Sequence, residues 1–173
     1  MRGIIQGVAP HVMNEEEWVV LREMRLAALR EAPEAFLSSY SEESAYKERE
    51  WRAEFRRGEW TVEVRNEKPI AFIGVTREQR TPPGECYLEY MWVSPGFRRH
   101  GVATDLMKNV LRRLLSRGFV TIWLWVLDGN EPARRLYEKC GFTSTGLTQS
   151  AHRRPSRSEE LMRLIFRRRS HLR

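Results

Sequence analysis

Between residues 87 and 127 the chain changes hydrophobic period twice, and that change limits the folds open to it. YLEYMWV, 87–93, is rich in aromatic and branched residues and reads as a strand closed by Ser94, Pro95 and Gly96. From Ala103 the apolar positions 103, 106, 107, 110, 111 and 114 recur at offsets of three and four, the pattern of an amphipathic helix running to Gly118. VTIWLWVL, 120–127, returns to an apolar run of strand length. Strand, helix and strand in that order predict a right-handed parallel crossover, with ligands at the carboxyl ends of the strands.

The other segments extend this unit on both sides. RGIIQGV, 2–8, is a candidate short strand, and WVVLREMRLAAL, 18–29, places Val19, Met24, Leu26 and Ala27 on a broad helical face that ends before Pro33. EESAYKEREWRAEFRRG, 42–58, reads as one helix with Ser41 as N-cap, Ala45, Trp51 and Phe55 inward, and Gly58 as its stop. WTVEV, 60–64, and IAFIGVT, 70–76, form a hairpin around NEKP. After DGN, residues Ala133, Leu136, Tyr137 and Cys140 mark a short helix ended by Gly141; 142–149 and 159–166 read as last strands around the polar loop HRRPSRSEE. The order predicts an α/β (α+β) fold, a sheet with helices on both faces. No repeat or linker divides it, so residues 1–173 are expected to form a single domain.

Charge is unevenly distributed. Residues 1–80 carry 13 Lys and Arg against 15 Asp and Glu, whereas residues 81–173 carry 17 against 8. A basic half beside a glutamate-rich one suits an anionic ligand on one side and a cationic one on the other; nucleic acid is the rival explanation of the same excess. The start resembles neither a signal nor a transit peptide, and no apolar run approaches the roughly 20 residues that span a bilayer, so a cytoplasmic protein is expected. Cys86 and Cys140 form no C-x-x-C pair and the four histidines show no ligand spacing, so neither metal nor disulfide is expected.

The loop RRHGVA joins the strand ending at Val93 to the following helix. The first-turn N–H groups of that helix lack internal partners and gather the positive end of its dipole, which makes an anion site. Gly101 lets the backbone approach a ligand, Ala103 keeps the first turn shallow, and Arg98 and Arg99 add positive field. The bland alternative is a plain strand-to-helix turn with solvated arginines. The loop lacks the Lys-Ser/Thr ending of a P-loop and the further glycines of the dinucleotide fingerprint, so both of those readings fall away.

Arg98-Arg99-His100-Gly101-Val102-Ala103 fits R/Q-x-x-G-x-G/A and, after YLEYMWVSP, resembles the acyl-coenzyme A motif of the GNAT superfamily of N-acetyltransferases. NEPARRLYEKCGF, 130–142, resembles that family's Asn-x-x-Ala-x-x-Leu-Tyr-x-x-x-Gly-Phe segment, in the expected order and at the expected distance. The resemblance covers at least residues 60–149. It implies a bent, mostly antiparallel mixed sheet of about seven strands in which two parallel neighbours, 87–93 and 120–127, splay apart. It also implies acetyl-CoA as co-substrate. Pantetheine would pair with the backbone near Trp92 and Val93, with Asn130 and Ala133 beside it. The pyrophosphate would lie on the amides of Arg98, Arg99, His100, Gly101, Val102, Ala103 and Thr104.

Acetyl transfer to an amine needs a proton acceptor, because an amine of pKa about 10.4 is mostly charged at neutral pH. Glu89 is the candidate base, acting through water; by period two it is expected to share a strand face with Tyr87, Met91 and Val93. Several relatives carry a base glutamate two residues earlier, where this chain has Tyr87. The alternative is a Glu89 that faces solvent or pairs with arginine. Tyr137, by the resemblance, protonates or hydrogen-bonds the coenzyme's sulfur; otherwise it is a core aromatic. Asn130 also suits an N-cap for a helix starting at Glu131, and His100 is expected to be exposed.

The function expected is therefore acetyl-CoA-dependent N-acetylation of a primary amine on a small molecule or peptide. The alternatives are a basic nucleic-acid-binding module or a regulatory module that binds coenzyme A without turnover. Aromatics set in strands and helices rather than beside basic runs disfavour nucleic acid. The acceptor would be shaped by the first two helices and the last strands, where Glu34, Glu42, Glu43, Glu48 and Glu50 form either a cation-attracting group or a solvated helix face. Many relatives pair as homodimers.

Overall fold

The computed structural model describes residues 8–151 and 154–166. Seven strands form one sheet in the order β1-β2-β3-β4-β5-β7-β6: β1 Val8–Val12, β2 Gly58–Arg65, β3 Lys68–Thr76, β4 Glu85–Val93, β5 Thr121–Leu127, β6 Thr143–Ala151 and β7 Arg154–Ile165. Every neighbouring pair is antiparallel except β4 and β5. That parallel pair is short: Glu85, Cys86 and Tyr87 register with Thr121, Ile122 and Trp123, and beyond them the two strands are no longer paired.

Each face of the sheet carries its own core. The crossover helix α4, Val102–Ser116, sends Val102, Leu106, Met107, Val110, Leu111 and Leu114 onto one face, where they meet Cys86, Leu88, Ile122, Leu124 and Val126. Its i, i+3, i+4 stripe supplies that contact. The short helix α5, Glu131–Lys139, adds Ala133 and Tyr137 at the rim of the same cluster. On the other face α1, Trp18–Glu31, contributes Leu21, Met24, Ala28 and Leu29 to a cluster with Trp60, Val62, Phe72 and Trp92. Double coverage explains why β2 buries its alternate polar positions too: Thr61 is fully enclosed and accepts a hydrogen bond from Arg113 Nη2 at 2.7 Å.

Several expected boundaries shift for identifiable reasons. The first strand lies at Val8–Val12, and most of the segment expected for it, 2–7, lies outside the described residues, as does the tail 167–173. The helix expected over 42–58 is two: α2, Tyr40–Ser44, and α3, Glu48–Arg56. Ser39 rather than Ser41 caps α2, accepting from the Glu42 amide at 3.2 Å, and the break lets Glu50 accept from the Lys47 amide and start a new helix. Ala45 falls in the break and is exposed, while Trp51 and Phe55 are buried as expected. In α1, Val19 and Ala27 are exposed and the buried side is completed by Arg25. Strand β7 starts at Arg154, five residues before the expected 159, and pairs with β6 along most of its length.

Leu106 is wholly buried under the sheet, whereas Leu115 on the same helix is 51% exposed. Leu106→Ala is expected to lower the unfolding free energy by roughly 2–5 kcal/mol. Leu115→Ala should stay within about 0.5 kcal/mol. Urea denaturation of both variants measures the difference.

Candidate active site

The end of the β4–β5 pairing opens a cleft. It has a volume of about 540 Å³ and runs between Glu89, Tyr90 and Met91 on one side and Trp125, Val126 and Leu127 on the other, with Asn130, Ala133 and Tyr137 at its rim. A β-bulge in β4 widens it. Gly74 registers with Glu89 and Phe72 with Trp92, so β4 carries one residue more than β3 over the same span. Tyr90 absorbs the extra residue at φ +60°, a conformation rare for a side chain of its size. Its ring is held 5.2 Å from that of Trp60 and lies under the Arg25 guanidinium at 4.3 Å.

The bulge corrects one expectation about Glu89. Tyr87 and Glu89 share a face, but the extra residue moves Tyr90 and Trp92 to that same side and turns Met91 and Val93 to the α4 side. Period two holds only as far as Glu89. Glu89 is half-buried, and burial pushes its carboxyl above the ordinary carboxylate range, while the neighbouring Thr76 hydroxyl and the Arg57 charge pull the other way. It therefore neither faces open solvent nor forms an ion pair among the described residues.

The loop after β4 has the geometry expected of an anion cradle. Arg99 and Gly101 take φ of +62° and +82°, and Gly101 is the N-cap of α4 without any side-chain cap. The first intrahelical bond is the Asp105 amide donating to Gly101 O at 2.9 Å, so the amides of Val102, Ala103 and Thr104 have no acceptor within the helix. Val102 is buried in the core and Ala103 is small, so backbone dominates the helix start; Arg99 and His100 are exposed beside it. These residues fit a diphosphate, which such a helix start stabilises without a metal.

Arg98 makes contacts that its place in the motif does not reveal. Its Nε donates to Val93 O at 2.9 Å, and Nη1 and Nη2 donate to the two carboxylate oxygens of Glu31 at 3.0 and 2.5 Å. Trp92 Nε1 donates to the same carboxylate at 3.2 Å. These bonds tie the loop to the C-terminal end of α1. The Arg98 hydrogen bonds hold the Glu31 carboxyl below its ordinary value, with help from Trp92 and against partial burial. Nothing in the sequence singled out Glu31, because its partner is 67 residues away.

At the far rim Asn130 caps α5, its Oδ1 accepting from the Ala133 amide at 3.3 Å, with Pro132 in the first turn. Tyr137 is packed 6.1 Å from the Phe142 ring and lines the cleft. Burial, and to a smaller degree Cys140, pushes its phenol up to about 12, so it holds its proton throughout the neutral range. The structure brings Glu89, Asn130, Ala133 and Tyr137 to one cleft; the side chains of Trp92 and Val102 are buried in the cores. Among the described residues no group of three or more His, Cys, Asp and Glu could hold a metal ion, and no helix is long and apolar enough to cross a membrane.

Residues 20–142 match the model of the acetyltransferase (GNAT) family. Similar curated proteins include a [ribosomal protein bS18]-alanine N-acetyltransferase of Haemophilus ducreyi, 32% identical over 76 residues, 44% of this chain and 52% of that protein. A mycothiol acetyltransferase of Brachybacterium faecium is 36% identical over 89 residues, 49% of this chain and 26% of that protein. The chain thus spans from about a quarter to about half the length of these relatives. Among solved structures, a ribosomal-protein-alanine N-acetyltransferase of Brucella melitensis superposes with a TM-score of 0.74 over 92% of this chain and 100% of that one, at 15% identity, a likeness of fold.

The Glu31 clamp should be measurable in the loop it holds. Glu31→Gln removes the charge that both guanidinium nitrogens use, and exchange of the Arg98 amide, which donates to Pro95 O, is expected to rise at least about tenfold relative to its unstructured rate, the effect of losing roughly 1.5 kcal/mol of charged hydrogen bonding. A carboxyl whose folded pKa is depressed stabilises above its unfolded value, about 4.3. In the native protein the same rise should therefore appear as pH falls below that value and through the lower folded one, and be absent at neutral pH.

Proposed function

The chain belongs to the acetyltransferase (GNAT) family, and on that premise we propose that it transfers an acetyl group from acetyl-CoA to a primary amine by direct attack in a ternary complex. The observation that carries this reading is the cleft itself, which places a desolvated carboxyl and a protonated phenol around the splay, while the strand β4 that forms one wall runs on into a loop and helix start with free amides. The matched relatives are named for acylating amines, which supports the nucleophile class.

Acetyl-CoA supplies a thioester, whose acyl carbon is the electrophile and whose sulfur departs. The amides of Val102, Ala103 and Thr104, with Gly101 giving close approach, would hold its diphosphate, and Arg99 and His100 border the same opening. Arg98 positions the loop through Glu31. The unpaired stretch of β4 near Trp92 and Val93, and the rim residues Asn130 and Ala133, would receive the pantetheine arm.

Glu89 would take the proton of the incoming ammonium, through water. Its raised carboxyl pKa brings it nearer the operating pH and makes it a better acceptor than an exposed glutamate. Tyr137 would act on the departing sulfur. A thiol has a reference pKa of about 8.5, so full transfer from a phenol near 12 is uphill by ~5 kcal/mol. A hydrogen bond from the Tyr137 hydroxyl to the developing thiolate is therefore the favoured role, stabilising charge at the moment it appears.

Thiol release with acetyl-CoA and a panel of amines tests this directly. Glu89→Gln is expected to lower kcat by about 10²–10⁴-fold. It should also abolish the acid limb of the pH profile, since only an ionised Glu89 accepts a proton and activity falls as pH drops through its raised pKa. Tyr137→Phe should lower kcat by about 10²-fold with little change in KM for acetyl-CoA. No turnover of any amine by the wild-type chain would remove the proposal.

A further inference from the structure

One carboxylate in the cleft has no part in the chemistry above. Glu159, on β7, is only 5% exposed and lines the cleft. Its register partners are Leu127 on β5 and Gln149 on β6. Gln149 Nε2 donates to Oε1 at 2.9 Å, and no cationic side chain among the described residues pairs with it. The fold treats the other buried acids differently: Glu43 is clasped by Arg25 at 2.7 Å and Glu63 lies 3.4 Å from Arg65. Burying a carboxylate against one neutral donor is costly unless a cation arrives from elsewhere.

The cleft is where that cation would arrive. Cross-strand partners share a face, so Glu159 lies on the side of Leu127, and Trp125 and Leu161 lie beside them. This is the face that carries Tyr87 and Glu89 on β4. Five carboxylates and two guanidinium groups line the cleft. Both guanidiniums are occupied, Arg25 by Glu43 and Arg57 by Glu54. Three lining carboxylates, Glu78, Glu89 and Glu159, have no guanidinium partner among the described residues, with Glu89 on one wall and Glu159 beyond the other.

We propose that Glu159 receives a second positive charge on the acceptor, so that the preferred substrate is a small dicationic amine: one amino group is deprotonated at Glu89 and acetylated, and the other stays charged at Glu159. This rests on the acetyl-transfer reading. A cleft of about 540 Å³ has the size of a small-molecule site. Tyr87 and Trp125 offer aromatic surface for the methylene spacer between the two charges.

Two measurements test it together. In the thiol-release assay the dications putrescine and cadaverine are compared with n-butylamine and n-pentylamine at one ionic strength. At least one dication is expected to exceed its monoamine counterpart in kcat/KM by about 10-fold or more, through KM, as a charged hydrogen bond would give. Glu159→Gln should shrink that ratio to about threefold or less. Calorimetry of putrescine and cadaverine alone, without acetyl-CoA, should show heat with the wild type that Glu159→Gln loses, while its melting temperature confirms that it folds. Equal kcat/KM for dications and monoamines, or a ratio unmoved by Glu159→Gln, overturns the dication but leaves acetyl transfer standing. Absent turnover with Glu159-dependent binding of a dication does the reverse.

Discussion

Everything at the cleft depends on where two parallel strands stop pairing. Beyond Tyr87 and Trp123 the backbones of β4 and β5 no longer satisfy each other, and a sheet interior with unpaired N–H and C=O groups is costly unless something else bonds them. The bulge at Tyr90 makes the separation structural. Its left-handed backbone costs of order 1–2 kcal/mol. The Tyr90 ring, set between Trp60 and Arg25, offsets that cost. A ligand whose own amides can bond strand edges, as pantetheine's can, answers the vacancy the bulge creates.

Charge is then divided by the sheet. On the loop side, helix-start amides and Arg99 favour anions; on the acceptor side, Glu78, Glu89 and Glu159 remain after Arg25 and Arg57 have been used by Glu43 and Glu54. The two fields meet at the splay. Burial tunes the groups between them, lifting the Glu89 carboxyl toward neutrality and keeping the Tyr137 phenol protonated. In the second half of the chain Arg98 pairs with Glu31, Arg113 and Arg117 with Glu59, and Arg134 with Glu160.

The sequence was most informative where chemistry is local. The strand–loop–helix at 87–116, the cap at Asn130 and the glycine at the start of α4 each depend on neighbours a few residues away, and all appear where spacing placed them. It was least informative where the determinant is a distant partner. The motif marks Arg98 but not its partner Glu31, and the pattern over 42–58 reads as one helix because nothing local signals that Glu43 must reach Arg25. The bulge defeated the period-two reading for the same reason: strand periodicity presumes an unbroken register, and the extra residue becomes visible only against β3. Glu159 sat in what read as a polar loop and strand start, with no motif to mark it.

The central claim is that the splay and the amide-lined loop together bind coenzyme A. Titration calorimetry of coenzyme A into the wild-type chain and into Gly101→Val tests it most directly. Binding in the range of about 1 μM to 1 mM is expected for the wild type. Gly101→Val should weaken it strongly while leaving the fold intact, because a branched side chain is strained at φ +82° and shifts the loop backbone that would approach the diphosphate. An absence of heat with the wild type, or equal affinity in both proteins, would contradict it.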